Sequence, residues 1–556
     1  MLQPLIALLL TSMGAQAGTP PEAAAQLVRP TPPPTGNGFT PLVLHQVRAV
    51  GTNVVSTNPF LDGQVIGRLG GTNGTTVLTD EGLDLDGDGQ RDEDIANAGF
   101  VEQRVNAFLT WAPPVMNGEL AFTAGFEVDF LWGDQSYGTG GNVGGGVGAD
   151  QVNLQTRRLH MTYAPPLGAR HKVEVVVGQQ FMADGVYNPA TARPDDLFRT
   201  GGGLKLWGTE AAGVTAYGRV LDSTGDRLRY KLSRSNLVEN GSGLSDDVTL
   251  WMADLSAQPV QRLWVGLHGA LLNDASGGRG GTLGVGPASQ LSGLQGGPEL
   301  ALPPSIEEDP EDPDATIEVA QEPDARVAWF GVDLQLNHRL DQGPVGATAA
   351  VYGNTGSIYL KSADDIRIFG WMATGELRAR YAPGAGSVAR LEGLMVSRDG
   401  TGESAYTGMV TGNAYGVVGA YYGTHGCYLL FPDRGAINRL SPAVQDISNG
   451  GDGLIALTGS VGYDLIPHKL NATVGGGWAR STESTPTPLG AEVNGRLSWR
   501  PWLLSDLSLT AARLMGSEVP DASATFLAQQ RDPDAPAQAI SGDAWTIILS
   551  MDNLLF

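Results

Sequence analysis

The chain reads as an all-β protein, a single-chain antiparallel transmembrane β-barrel of 18 strands, with 16 as the alternative count. Three features lead there. Glycine is abundant and charge is scarce, with 78 glycines in 556 residues and 17% Asp, Glu, Lys and Arg, against about 7% and about 25% in ordinary globular chains. Apolar and polar side chains alternate over long segments, and the links between those segments are short and long in turn.

Composition removes the main alternatives. After the first dozen residues no apolar run approaches the ~20 residues of a membrane-spanning helix, and the glycines lack the three-residue period of collagen. The 14 Phe, 14 Tyr and 11 Trp recur in patterned segments, which argues against disorder. The single cysteine, Cys427, excludes a disulfide framework and a multi-cysteine metal site. With 59 acidic against 35 basic residues the net charge is −24, which speaks against a nucleic-acid partner. Only five of the basic residues are lysine, so the placement of the arginines carries the information.

At the amino terminus, residues 1–17 have a short apolar core and end in Ala15-Gln16-Ala17, the small-x-small pattern of a secretory signal peptide, although no Lys or Arg precedes the core. Residues 18–40 form a Pro-rich periplasmic leader, and 41–556 the barrel. The first strand lies in Leu44 to Val55 or Phe60 to Leu69, and 70–100 is an outer loop. From Glu119 to Trp132, one face carries Leu120, Phe122, Ala124, Phe126, Val128, Phe130 and Trp132, and the other Glu119, Thr123, Glu127 and Asp129. Period two places the two sets on opposite faces of one strand. The same grammar recurs in Arg227 to Ser233, Gly331 to Leu340, Thr374 to Tyr381 and Ala491 to Arg500. A soluble sandwich also alternates, but strands this long suit a lipid-spanning barrel, where about 9–11 residues cross the hydrocarbon. Aromatics at segment ends (Trp111, Trp132, Tyr163, Tyr381, Trp499, Trp545) suit interfacial girdles.

Short links follow Ala112, Ala164, Asp222, Ala257, Leu340, Ala382, Ile466 and Arg500. Long ones include 133–149, 183–201, 273–324, 399–451 and 517–541. Bacterial barrels alternate periplasmic turns and outer loops in this way. Seventeen strands are counted from residue 102 onward, and closure adds one before it; the ambiguous stretch 201–222 leaves 16 open. The last strand ends at Phe556 with two competing apolar stripes, which a bulge near Asn553 reconciles.

Chemistry-bearing motifs are few. Asp84, Asp86, Asp88, Gln90 and Asp92, with Gly89 between them, match the first part of an EF-hand-type calcium loop, with Gln90 donating its carbonyl. Ile95 stands where the bidentate Glu belongs, so a solvated acidic loop is the competing reading. Residues 299–324 hold ten acids and no Lys or Arg, the pattern of a solvated loop. On the polar strand faces fall Arg158, Arg227, Arg229, Lys231, Arg339, Arg378, Arg380, Arg390, Arg496 and Arg500, together with Glu127, Glu174, Asp333, Glu376, Glu392 and Glu492. In a barrel these line the lumen, either as a track for anions or as a wall of paired charges. No G-x-S-x-G, P-loop or H-E-x-x-H motif occurs, and neither Ser460 with Asp464 nor His160 stands out as catalytic, so no enzyme is expected. Cys427 reads as an inert packed thiol.

The stretches VEQRVNAFLTWAPPVMNGELAFTAGFEVDFLWGD and ADQVNLQTRRLHMTYAPPLGARHKVEVVVGQQ resemble the opening strands of porin-like and alginate-export-type outer-membrane barrels, and AEVNGRLSWRPWLLSDLSLTAARLMG is similar to their closing strands. The resemblance covers about a third of the chain and implies a 16- or 18-stranded pore in the outer membrane of a Gram-negative bacterium. Such a pore passes polar or anionic solutes, with export of an acidic polysaccharide among them. It also implies outer-membrane lipid, the barrel assembly machinery that reads the terminal Phe, and a periplasmic polysaccharide-export protein as partners. The alternative function is a calcium-stabilised barrel for adhesion or surface binding, with a plugged lumen. In the pore reading, loops such as 273–324 and 399–451 fold inward as constrictions; in the alternative, long acidic loops hold calcium and contact a surface.

Overall fold

The computed structural model describes residues 38–52, 77–79, 82–84, 98–113, 119–132, 153–168, 170–186, 206–222, 225–239, 247–277, 305–308, 316–319, 323–360, 364–384, 386–400, 405–412, 426–431, 443–444, 447–483, 486–502, 505–517 and 544–555. Eighteen long strands run in chain order: β1 Phe39–Thr52, β2 Ala98–Trp111, β3 Leu120–Leu131, β4 Asn153–Tyr163, β5 His171–Ala183, β6 Gly208–Asp222, β7 Gly225–Val238, β8 Val248–Val260, β9 Leu263–Asp274, β10 Asp324–Leu336, β11 Val345–Tyr359, β12 Ile366–Arg380, β13 Val388–Val396, β14 Leu454–Ile466, β15 Leu470–Arg480, β16 Pro488–Trp502, β17 Ser505–Met515 and β18 Ala544–Leu555. Each pairs antiparallel with its sequence neighbour, and β1 pairs with both β2 and β18, which closes the ring. Of the two candidate first strands, the one around Leu44 is used, and it already starts at Phe39. The ambiguous stretch contains β6, which settles the count at 18. Two short hairpins, Val77–Thr79 with Gly82–Asp84 and Ser305–Glu308 with Thr316–Val319, stand apart from the barrel.

Closure gives every long strand a partner on both sides, the condition for β-structure in hydrocarbon. The outer face is the apolar set of each alternation. On β12, Phe369 and Leu377 are 57% exposed while Ile368, one residue from Phe369, is buried. Val351, Leu391, Val461, Val474 and Leu509 continue the outward apolar surface on neighbouring strands. With short turns taken as periplasmic, aromatic residues ring the periplasmic end (Trp111 stacked on Phe122 at 5.5 Å, Tyr381, Tyr463, Trp499) and the outer end (Trp132, Trp251, Trp371, Trp478). An outward face of this kind is stable only against lipid, so the protein is an outer-membrane barrel of the Gram-negative type.

Two expectations need correction. β18 keeps unbroken register with β1 and β17, so no bulge forms at Asn553; Ile547, Leu549 and Met551 face lipid and Ile548 faces inward. Arg339 does not lie on a strand. β10 ends at Leu336 because Asn337 turns into the left-handed region (φ 44°) and its side chain donates to the carbonyls of Val345 (2.7 Å) and Gly343 (3.2 Å), which puts Arg339 in the turn.

The inner face is not polar throughout. Charged side chains such as Arg378, Glu376, Arg496 and Asp506 lie in its periplasmic half, but towards the outer end many inward residues are apolar, among them Leu250, Leu272, Val327, Trp329, Ile366, Ile368, Val396, Leu454, Leu489 and Leu514, all buried. They form one core with residues of the outer loops. Side chains facing a packed loop rather than water have no reason to be polar.

Candidate functional site

Described parts of the connection 397–453, which links β13 to β14, belong to this core. β13 has only nine residues and ends opposite Met372 of β12. The outer part of β12 therefore lacks that partner, and Ala405–Tyr406 takes the place by pairing parallel to Arg367 and Ile368. The chain then enters the barrel. Trp329 of β10 donates its indole N–H to the Val410 carbonyl (2.6 Å), and the Val410 N–H reaches Asn354 of β11 (3.2 Å). Gly412 bonds back to the Leu206 carbonyl (2.7 Å), beside Trp207 at the entry to β6.

Further along, Tyr428 to Leu430 sit against β16. The Glu492 carboxylate accepts the backbone N–H groups of Tyr428 (2.8 Å), Leu429 (2.9 Å) and Leu430 (2.7 Å), and Asn494 donates to the same carboxylate (2.7 Å) and to the Gly426 carbonyl. Three successive amides on one carboxylate form an anion nest, with Gly426 (φ 102°) turning the chain into it. Tyr428 packs on Val50 of β1 and Ile548 of β18. Around the ring of 18, β6 and β16 are eight strands apart one way and ten the other. The described parts of the segment, 405–412 and 426–431 (the bar), thus lie inside the barrel near opposite walls. Met409, Val410, Leu430 and Phe431 are completely buried in it, and each such side chain contributes roughly 1.5–3 kcal/mol of hydrophobic stabilisation.

Cys427, in the bar, is buried, and burial followed by the nearby Glu492 and Glu392 pushes its thiol pKa up. That leaves it protonated and unreactive.

A second inward element comes from the β5–β6 connection. Asp184 accepts the backbone N–H groups of Leu206 (3.3 Å) and Trp207 (3.1 Å), and Trp207 meets Trp329 edge-on at 5.3 Å. Beneath it lies a buried ionic chain across four strands. Lys231 of β7 pairs with Asp254 of β8 (2.6 Å) and donates to the Ala183 carbonyl. His268 of β9 bonds Asp254 through Nδ1 (2.7 Å) and Asp333 of β10 through Nε2 (2.5 Å). Gln335 closes on Asp333 (2.6 Å). Antiparallel register sets Lys231 opposite Asp254 and Asp254 opposite His268. With both ring nitrogens held by carboxylates, His268 has none free for a metal or a substrate proton.

The other expected lumen residues have partners of several kinds. Arg378 meets Glu376 on the same strand, with Nη2 2.7 Å from the carboxylate. Arg496 (3.6 Å) and Arg500 (3.0 Å) share Asp506 near the periplasmic mouth and are the more open of the set. Arg380 donates to the Leu340 carbonyl (3.0 Å), Arg227 reaches the Gln258 carbonyl, and Arg390 sits opposite Arg378 on β13. Arg229 lies over Trp264 and Arg158 over Phe181. Sequence reasoning had not singled out Arg48 paired with Glu102 (3.2 Å) or Arg104 paired with Glu127 (3.4 Å). Ser460, Asp464 and His160 are not brought together; Asp464 serves the turn below it by accepting from Gly386 and Asn471. Of the calcium-loop set, Asp84 ends a short hairpin, and Asp86, Asp88, Gln90 and Asp92 lie outside the described residues. Among the described residues no group of three or more His, Cys, Asp or Glu is arranged to hold a metal.

These features define a closed 18-stranded outer-membrane β-barrel with parts of its outer connections packed inside it. No protein family matches the chain and no curated protein does. Solved structures similar to it include Pseudomonas aeruginosa OccK5 (OpdH), at 9% identity over 93% of this chain and 98% of that one with a TM-score of 0.41. OccK8 (OprE) of the same organism gives 8%, 93%, 98% and 0.42, and Acinetobacter baumannii OccAB4 gives 12%, 94%, 100% and 0.39. Likenesses this distant carry nothing about what the present chain binds.

Proposed function

We propose that the protein is an outer-membrane channel for polar solutes, anions among them, with parts of an outer connection packed inside the barrel. The observation that carries this is the two-sided wall: apolar residues face lipid on every strand while ionised side chains such as Arg378, Glu376, Arg496 and Asp506 face inward in the periplasmic half. Charged groups are retained inside a membrane protein where water and polar cargo pass. An acidic polysaccharide delivered by a periplasmic partner is the finer form of this reading, and Arg496 and Arg500 at the periplasmic mouth favour an anionic cargo. Phe556 suits recognition by the assembly machinery.

A second reading, a plugged barrel for surface binding, is favoured by the full burial of Leu430 and Phe431 within the lumen. Planar-bilayer recording separates the two. The intact chain and a variant with residues 401–446 replaced by a short Gly-Ser link are compared in salt gradients. Steady conductance in the shortened chain is expected, with anion preference; silence in it would leave the plugged barrel. Calcium binding by the Asp84–Asp92 stretch is proposed from spacing alone, and proteolysis unaffected by added calcium would remove it.

A further inference from the structure

We propose that the lipid-facing wall of β10–β12 binds a phosphorylated lipid of the outer leaflet, with Arg326 and Arg367 holding a phosphate monoester between them. This rests on the outer-membrane placement and not on the channel reading. Among the described residues, the exposed Lys and Arg side chains of the eighteen strands are Arg234, Arg326, Arg367, Arg480 and Arg513. All belong to the face that meets lipid, and each lies within five residues of the outer end of its strand.

Two of them rest on rings, Arg234 over Trp251 (5.7 Å) and Arg480 over Trp478 (5.8 Å). Arg326 and Arg367 are arranged differently. Antiparallel register sets Ser357 of β11 between them, opposite Arg326 on one side and Arg367 on the other. Neighbouring strands run about 4.8 Å apart, so the two arginines are rooted about 10 Å apart, a span that two guanidiniums can close around one phosphate. Among the described residues no carboxylate lies within ion-pair distance of either guanidinium. Asp324 and Asp365 stand two residues further from the hydrocarbon, and Asp324 accepts the Gly277 N–H (3.0 Å).

The layers beneath suit the rest of a lipid. Thr249, Asn273, Arg326, Ser357 and Arg367 form one polar row across β8–β12. Two residues nearer the membrane centre come Trp251 and Phe369, and two further on Phe330 and Trp371, all exposed. The Phe330 ring lies across Gly353, the position between it and Trp371. Such a step from polar to aromatic marks where headgroups give way to acyl chains. At that level the dielectric is lower than in water, which strengthens the attraction of a guanidinium for phosphate, and its planar fork bonds two phosphate oxygens at once. Two guanidinium charges match a monoester, which carries about −1.5 to −2; a diester brings only one negative charge.

Native mass spectrometry of the intact chain in detergent, titrated with bis-phosphorylated lipid A, tests the site. Arg326→Gln/Arg367→Gln should weaken binding about tenfold or more. Arg234→Gln/Arg480→Gln removes the same charge elsewhere on the same face and should weaken it less than about threefold. Heat-modifiable gel mobility checks that each variant folds. Ser357→Asp sets a carboxylate between the two arginines without removing either; it should also weaken binding, and it carries the test if the double variant does not fold. Lipid A stripped of its phosphates, and phosphatidylglycerol, should bind about tenfold more weakly than the bis-phosphorylated lipid. The site is overturned if Arg326→Gln/Arg367→Gln or Ser357→Asp binds like the intact chain, or if the two double variants lose binding equally, which would mean a diffuse cationic belt. Equal binding of either control lipid would overturn the phosphate monoester as the group held. A barrel that conducts nothing would still bind this lipid, so failure here and failure of the channel reading are distinct.

Discussion

Asp184 shows how a single side chain can serve position at the expense of charge. It lies just beyond β5, with one oxygen capping Leu206 and Trp207 and Oδ2 buried without a hydrogen-bond partner. Burial pushes its carboxyl from 3.8 up to about 6 in the folded chain. A folded-state value above the unfolded one means that the native state favours the proton. The stabilisation is complete below about pH 4 and is lost as pH rises through about 6. Asp184→Asn keeps the accepting oxygen and removes the buried charge. At pH 7.5 it is expected to stabilise the barrel by on the order of 2–3 kcal/mol, and at pH 4 by nothing. The urea midpoint for loss of the compact gel band, measured at both pH values, checks this. The same residue-scale logic explains Lys231, Asp254, His268 and Asp333, which tolerate burial because each neutralises its neighbour across the register.

Each strand is a two-faced element, and its faces answer to different solvents. Val461 lies near the middle of β14, 52% exposed towards lipid. Val461→Arg places a cation in hydrocarbon and is expected to cost roughly 2–4 kcal/mol, whereas Val461→Leu should be nearly neutral. Urea titration of the two refolded variants in detergent-free lipid vesicles measures the difference, and equal midpoints would contradict the outward assignment. The short β13 has a different consequence: by ending six residues before its neighbour's outer end, it leaves edge positions on β12 that Ala405–Tyr406 occupies, which steers the following segment into the barrel.

At the scale of the whole molecule, closure is the cooperative step. The first and last strands are paired over ten residues, Val43 to Thr52 against Leu555 to Thr546, so opening any seam exposes a row of backbone groups that lipid cannot satisfy. The folded chain is therefore expected to resist SDS at room temperature and to migrate faster on gels before boiling than after it. Identical mobility in both conditions would refute a closed barrel. Because described parts of the chain's own outer connections pack inside it, the barrel holds an apolar core inside as well as an apolar belt outside. In this it resembles a soluble domain enclosed by a membrane one.

The sequence by itself determined the all-β class, a count of 18 or 16 strands, the alternation of turns and loops, and which face of most strands meets lipid, because period two is a local property that survives without knowledge of any neighbour. Apolar runs such as Ile547-Ile548-Leu549 and Ile366 to Met372 also held a signal for two-sided burial that alternation alone does not explain. Only the tertiary structure decided what those inward apolar residues touch, that Glu492 receives three amides from a segment more than sixty positions away, and that the arginines have separate acid, carbonyl and aromatic partners. Those contacts depend on which strands the closed ring brings face to face across its interior, and that distance is set by the circumference of the barrel and not by any stretch of neighbouring residues.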